Sequence, residues 1–437
     1  MNRWLIGVAC VGFTVAAAAA KPQKLEGLVD RELADLVTVY KGLHAAPELS
    51  HQEEKTSALL AAQLKALGFE VTKRVGKYPN PALQGYGVVA VMKNGAGPTV
   101  LVRADMDALP IQEQTGLPYA STVRAKDSMG RDVPVMFACG HDIHVTTLIG
   151  TARALAQLKN QWKGTLVLIG QPAEEVIDGA RAMLADGLYS RFPKPDFALA
   201  LHDSADIEAG KVGVTGGYVL ASAISVDVTI RGVGGHGAWP QRTKDPVVMA
   251  AEYVMAIQTI VSRETAPVDP AVVTVGSIHG GTKHNIIPDE VHLQLTVRAY
   301  KEDVRKRILA SLERIAKGIA LAGGVPEDRA PIVKPSETEV TLATYNDPVL
   351  TARVGAALKN ALGASNVVSP DPVMGGEDFG YFALENRQIP AMMFWLGAVD
   401  PQRYAASKAG GPALPSLHSS LFAPLPEPTI RTGVWWR

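Results

Sequence analysis

Three segments decide the fold: TVLVRAD (99–105), DIHVTTLIGTARALAQL (142–158) and TLVLIGQPAEE (165–175). The first and third open on continuous apolar runs, Thr99 to Val102 and Thr165 to Ile169, and close on polar residues. Between them, Val145, Leu148, Ala152 and Leu155 recur at helical spacing. Strand, helix and strand in that order predict an α/β domain with a largely parallel sheet. Strands apolar along their whole length are buried on both faces of such a sheet. Phe197 to Leu201 repeats the pattern and runs into His202-Asp203. The polar residues therefore fall at the carboxyl ends of strands, where open α/β sheets bind ligands.

Working outward, Lys24 to His44 and Thr56 to Leu67 read as amphipathic helices, the second stopping at Gly68. Downstream the pattern changes. Ala223 to Ile230 reads as a strand, Asp245 to Ser262 as a helix, and Ala271 to Ile278 and Glu290 to Tyr300 as strands. A long helix, Glu302 to Ala322, and a short strand, Ile332 to Lys334, complete a β-α-β-β-α-β unit. This is a compact α+β insertion over residues 218–334, a lid or dimerisation domain. It interrupts a catalytic domain made of residues 21–217 and 335–437. The second part resumes with a helix at Pro348 to Leu362 and a strand at Ala391 to Leu396.

The 437 residues leave room for two or three domains of about 100–200 residues each. Forty-three basic and 43 acidic residues cancel, so no electrostatic footprint for nucleic acid or anionic lipid is present. Residues 1–20 read as a secretory signal: Arg3, an apolar run from Trp4 to Val15, then alanines to Ala20. The apolar run is short for a membrane span of about 20 residues. An exported, periplasmic or secreted protein is expected. Cleavage removes Cys10 and leaves Cys139 as the lone thiol, unable to form an internal disulfide.

ACGHDIH (138–144) is the strongest local chemical signal. A lone Cys or His is ordinarily a satisfied core residue. Cys139 and His141, two residues apart beside Asp142, form a pair suited to zinc or a similar divalent ion. Glu174-Glu175 follows a buried strand. It reads either as a solvated turn or as a division of labour, one carboxylate on metal and the other handling a proton. His202 ends an apolar strand, and His418 lies in the late loop SLHSS (416–420).

RADMDALP (103–110), ACGHDIH (138–144), QPAEE (171–175), NIIP (285–288) and GEDF (376–379) occur in this order. On these motifs the chain resembles the metal-dependent aminoacylase/carboxypeptidase family, in its branch of hippurate hydrolases and indole-acetyl-amino-acid hydrolases. The resemblance extends over about residues 25–433. It implies a two-metal site with Cys139, His141, Glu175, His202 and His418 as ligands. Glu174 is then the general base and Asp105 a carboxylate that orients a ligand. Imidazoles and a thiolate select zinc, while the carboxylate keeps manganese and cobalt admissible. The same resemblance makes His236 a substrate-facing lid residue, often supplied across a homodimer, with Asn285 and Arg298 as candidates for the substrate's carboxylate. Three departures alter the pocket wall: Val176-Ile177-Asp178 before Gly179, Phe137 in place of a histidine, and Asp203-Ser204-Ala205 without prolines.

The implied function is hydrolysis of the amide bond of an N-acyl or N-aroyl amino acid. A dipeptidase or carboxypeptidase on short peptides shares the same scissile unit. A non-catalytic metal-binding relative is the rival outside enzymes, and the intact Glu174 speaks against it. A serine hydrolase would need a G-x-S-x-G elbow, which does not occur.

Overall fold

The computed structural model describes residues 22–384 and 387–435; the expected export segment and Cys10 lie outside the described residues. Helices α1 (Pro22–His44) and α2 (Glu54–Ala66) precede strands β1 (Glu70–Val75), β2 (Gly87–Asn94) and β3 (Thr99–Asp105). Helix α3 (His141–Gln157) leads to β4 (Gly164–Gln171), β5 (Phe197–Glu208) and β6 (Val212–Gly213). Next come β7 (Ser222–Arg231), α4 (Pro246–Thr259), β8 (Ala271–Gly280), β9 (Glu290–Ala299), α5 (Glu302–Ala322) and β10 (Ile332–Thr341). The chain returns through α6 (Pro348–Leu362), β11 (Val367–Val368), β12 (Ala391–Val399) and α7 (Pro426–Trp435).

The large sheet has the order β1-β2-β4-β3-β5-β12-β6-β11. Its four central strands, β4, β3, β5 and β12, run parallel, and antiparallel pairs lie toward the edges. Alternation along the central strands feeds two cores. Leu166, Leu168 and Phe394 face α1, α3 and α7, whereas Val167, Ile169 and Met393 face Phe379 and Phe382. Full burial of each such side chain stabilises the fold by about 1.5–3 kcal/mol. Helix α3 approaches its neighbours closely at Gly150, where an added Cβ would lie 2.4 Å from Val434 and 2.9 Å from Leu36. Register sets the site: Asp105 pairs with Gln171, and His202 with Trp395, so the carboxyl ends of these strands share one rim.

The smaller antiparallel sheet has the order β8-β9-β7-β10. Only one of its faces is apolar. Ile224, Val226, Val228, Leu293, Leu295 and Val297 pack there on Tyr253, Ile257, Ile308 and Leu312 of α4 and α5. Strand β10 runs on to Thr341, past the expected end at Lys334. Pro335 is tolerated because β10 is an edge strand, which leaves one row of its backbone groups without a ladder partner. The Thr341 hydroxyl donates to the Glu377 carbonyl at 2.8 Å, tying the end of this strand to the motif at 376–379.

At the end of α1, His44 is fully buried, with Nδ1 2.6 Å from Asp142 and Nε2 3.1 Å from Glu113. Burial alone would push its pKa down, but the bonds to Asp142 and then Glu113 outweigh it and lift it to about 10. A raised folded-state pKa contributes stability that is full below the unfolded value, about 6.5, and is lost as pH rises through the folded value. The difference in melting temperature between wild type and His44→Gln should therefore be largest near about pH 6 and shrink toward about pH 10. A difference that does not change with pH would contradict this pairing.

Candidate metal centre

The rim gathers residues from four separate segments. Cys139 precedes α3 and His141 is its first residue; Gly140 between them adopts φ +76°. A Cβ at Gly140 would lie 2.0 Å from an Asp203 carboxylate oxygen, so only glycine fits. Glu174 and Glu175 lie on the turn after β4, His202 sits within β5, and His418 occupies the loop before α7.

These side chains converge. The Cys139 sulfur lies 3.5 Å from His202 Nε2 and 3.3 Å from His418 Nε2. His418 Nε2 is 3.4 Å from Glu175 Oε2, and His141 Nε2 is 3.9 Å from Glu175 Oε1. Cys139, His141 and His202 form one set, and Cys139, Glu175 and His418 another, with the donor atoms of each set within 4.8 Å of one another. All five expected ligands thus meet at one place. Glu174 joins them, with Oε2 3.9 Å from His141 Nε2.

The imidazoles are set with bare nitrogens turned inward. His141 Nδ1 donates to the Asp107 carbonyl at 2.8 Å, and its Nε2 is buried without a hydrogen-bond partner. His202 Nδ1 likewise donates to the Asp203 carbonyl at 2.8 Å. A backbone carbonyl on one ring nitrogen fixes the tautomer that offers the other as a ligand. Glu175 Oε1 is also buried without a partner.

Charge points the same way. Burial, then the negative charges of Glu377 and Glu175, push the Glu174 carboxyl well up. Burial raises Glu175 to about 8 despite nearby His141, and burial raises the Cys139 thiol too. Ionising these acids together without a cation is unfavourable, and a bound metal ion reverses that balance. The residues present therefore fit a metal centre.

A buried guanidinium stands behind the site. Arg103 is fully buried and donates to Gln171 (2.9 Å), Asp105 (2.5 Å), Glu377 (2.7 Å) and Asp378 (3.2 Å). Burial opposes ionisation of Asp105, but Arg103, followed by His141 and His144, holds its carboxyl well below the usual range. The second Asp105 oxygen bonds His144 Nδ1 at 2.5 Å, and His144 Nε2 accepts from the Asp203 amide at 2.9 Å. Asp105 approaches His141, an expected ligand, only at Nε2, 3.6 Å away. Orientation of that ring falls instead to Asp107, which is two residues further on and was not singled out from the sequence. Asp203, one of the departures, is buried with an oxygen 3.3 Å from both His202 Nδ1 and His144 Nε2.

The lid residues lie elsewhere. His236 and Asn285 sit on a short ribbon in which 235–236 pairs with 286–287, and the Asn285 carbonyl accepts from Gly237 at 2.9 Å. His236 is exposed, lies tilted against Trp239 with ring centroids 4.7 Å apart, and accepts the Ala238 amide at Nδ1, which leaves its proton on Nε2. Arg298 on β9 donates to the Met374 carbonyl at 2.8 Å. Among the described residues, no hydrogen bond or ion pair joins these three to the five-residue cluster.

Fold and site together define a metal-dependent hydrolase of linear amide bonds, of the aminoacylase/carboxypeptidase type. Residues 101–409 match the family described as Peptidase family M20/M25/M40, and the chain belongs to it. It is 36% identical to the N-acetyldiaminopimelate deacetylase of Leuconostoc citreum over 84% of this chain and 88% of that one. It is also 36% identical to the hippurate hydrolase of Campylobacter jejuni, over 78% of this chain and 82% of the relative. Among solved structures it resembles Bacillus subtilis YXEP, described as a dinuclear metal binding peptidase. The TM-score is 0.72 at 28% identity, covering 93% of this chain and 96% of the other.

Replacing Arg103 with methionine would strand three buried carboxylates. Arg103→Met should cost about 3–5 kcal/mol of unfolding free energy, read from urea titration. A loss below about 1 kcal/mol would show that the cluster is not a structural support.

Proposed function

We propose that the protein hydrolyses the amide bond of N-acyl or N-aroyl amino acids, hippurate-like compounds among them, to a carboxylic acid and a free amino acid. The observation that carries this reading is the pair of donor sets overlapping at Cys139, with a sixth group, Glu174, at their edge. Cys139, His141, Glu175, His202 and His418 would hold two divalent ions, zinc or manganese, with cobalt admissible. When bound, the ions polarise the scissile carbonyl and acidify a water. Glu174 takes the proton of that water and passes it to the leaving nitrogen. Both glutamates lie 3.9 Å from His141 Nε2, so their assignment rests on Glu175, which also reaches His418.

His236 would donate from Nε2 to the developing oxyanion, within its own chain or across a homodimer formed through the lid. Asn285 and Arg298 would receive the substrate's carboxylate. Export through residues 1–20 completes the reading, and mass analysis of the mature chain should place its first residue at Lys21. Two relatives carry deacetylase and hydrolase names for acylated amino acids, and two others at 35% identity are named carboxypeptidases. Relative rates on hippurate, N-acetyl amino acids and dipeptides decide between them; faster turnover of dipeptides would favour the peptidase.

Glu174→Gln should retain both metals while kcat falls by at least about 100-fold, the low end for loss of a general base. Glu175→Gln, Cys139→Ser and His418→Ala should instead lower metal content measured by elemental analysis. If Glu174→Gln lost metal and Glu175→Gln kept it, the two roles would be reversed.

Mixing Glu174→Gln with His236→Ala subunits tests the dimer reading. Activity recovered after subunit exchange would show His236 serving its partner; no recovery despite exchange would place it in its own chain.

A further inference from the structure

The Glu174 carboxylate makes no hydrogen bond to any described residue, so its aim is set by the backbone that carries it. That backbone is unusual. Ala173 and Ile177, on either side of the glutamate pair, have φ +53° and +57°, a region L-residues seldom occupy. Such conformations persist only where neighbours over-determine them, and they cluster at functional sites.

Two buried carboxylates grip the amides flanking Glu174. The Glu175 amide donates to Asp107 Oδ2 at 3.0 Å, and the Ala173 amide donates to Glu53 Oε1 at 2.7 Å. The same Glu53 oxygen accepts the amide of His51, itself at φ +66°. Glu53 is completely buried, and its other oxygen has no partner. It stands at the N-cap of α2 yet makes no capping bond to its own helix. Glu48 does that work, accepting from Lys55 at 3.0 Å and Thr56 at 2.7 Å. Nothing about α2 therefore requires a carboxylate at position 53. Its side chain instead ties the turn bearing Glu174 to the backbone at His51.

We propose that Glu53 is a positioning residue for the hydrolysis: it holds the Ala173 amide so that Glu174 is aimed at the reacting water. The proposal rests on the reading of Glu174 as the base. A displacement of about 1 Å can cost about 100-fold in rate.

The test uses the full metal-loaded enzyme, with hippurate or an N-acetyl amino acid, whichever wild type turns over faster. Glu53→Ala should lower kcat by about 30–100-fold while KM and bound metal stay within about twofold. Glu53→Gln keeps an oxygen acceptor at Oε1 and should remain within about fivefold of wild type. The double variant with Glu174→Gln should be no slower than Glu174→Gln alone, because Glu53 acts only through that residue. Unchanged kcat in Glu53→Ala, a Gln variant as slow as Ala, losses that multiply in the double variant, or losses that track metal content would each overturn the proposal. If Glu53→Ala fails to fold, Glu53→Asp carries the test. It withdraws the carboxylate by one methylene and should slow kcat, and full activity would overturn the assignment. An unimpaired Glu174→Gln would remove the base reading and this proposal together. A slow Glu174→Gln beside a fast Glu53→Ala would remove this proposal alone.

Discussion

The structure depends on a charge that has no contact with water. Arg103 is buried at the end of β3 and holds Asp105 from the first part of the large domain and Glu377 and Asp378 from the second. The smaller sheet with its helices is inserted between those parts, so this guanidinium joins segments more than 270 positions apart in the chain. Its planar fork suits several carboxylates at fixed angles, which a lysine could not supply. A cluster of this kind is not chosen for stability alone, since apolar packing of the same volume often serves as well. What it supplies here is geometry. Asp105 is pinned on one side by Arg103 and on the other holds His144, which in turn accepts the amide of Asp203 beside His202.

The groups of the five-residue cluster are thus oriented mostly by backbone. Carbonyls of Asp107 and Asp203 set the tautomers of His141 and His202, and Gly140 lets Asp203 pack against the approach to α3. The turn bearing both glutamates is held through its amides by Asp107 and Glu53. Rigid scaffolding of this type places donors before a metal or substrate arrives, which lowers the reorganisation needed at the moment of reaction.

Much of this fold is readable in the chain because burial on two faces and burial on one leave different patterns. Leu166 to Ile169 is apolar throughout, and β9 alternates, so the two sheets separate by inspection. The end of β10 was not readable: Pro335 to Glu339 has no apolar alternation, since an edge strand with exposed residues needs none. At the centre, ligand types were legible but their meeting was not. Cys139 and His418 are 279 positions apart, and only the resemblance to a known family brought them to one site. Asp107 and Glu53 are silent in the sequence for a different reason. Each acts through main-chain amides or its own carbonyl, and such work leaves no mark in side-chain spacing. Asp203 is visible in the sequence only as a departure from the family pattern, although it packs directly against two histidines.

If Cys139 and its neighbours hold two metal ions, their number and the sulfur in their coordination shell are both measurable. X-ray absorption at the metal edge, combined with elemental analysis of the wild-type protein, reads both. Two ions per chain with a sulfur scatterer, at about 2.3 Å if zinc is bound, are expected. One ion per chain, or a coordination shell of nitrogen and oxygen alone, would contradict that reading.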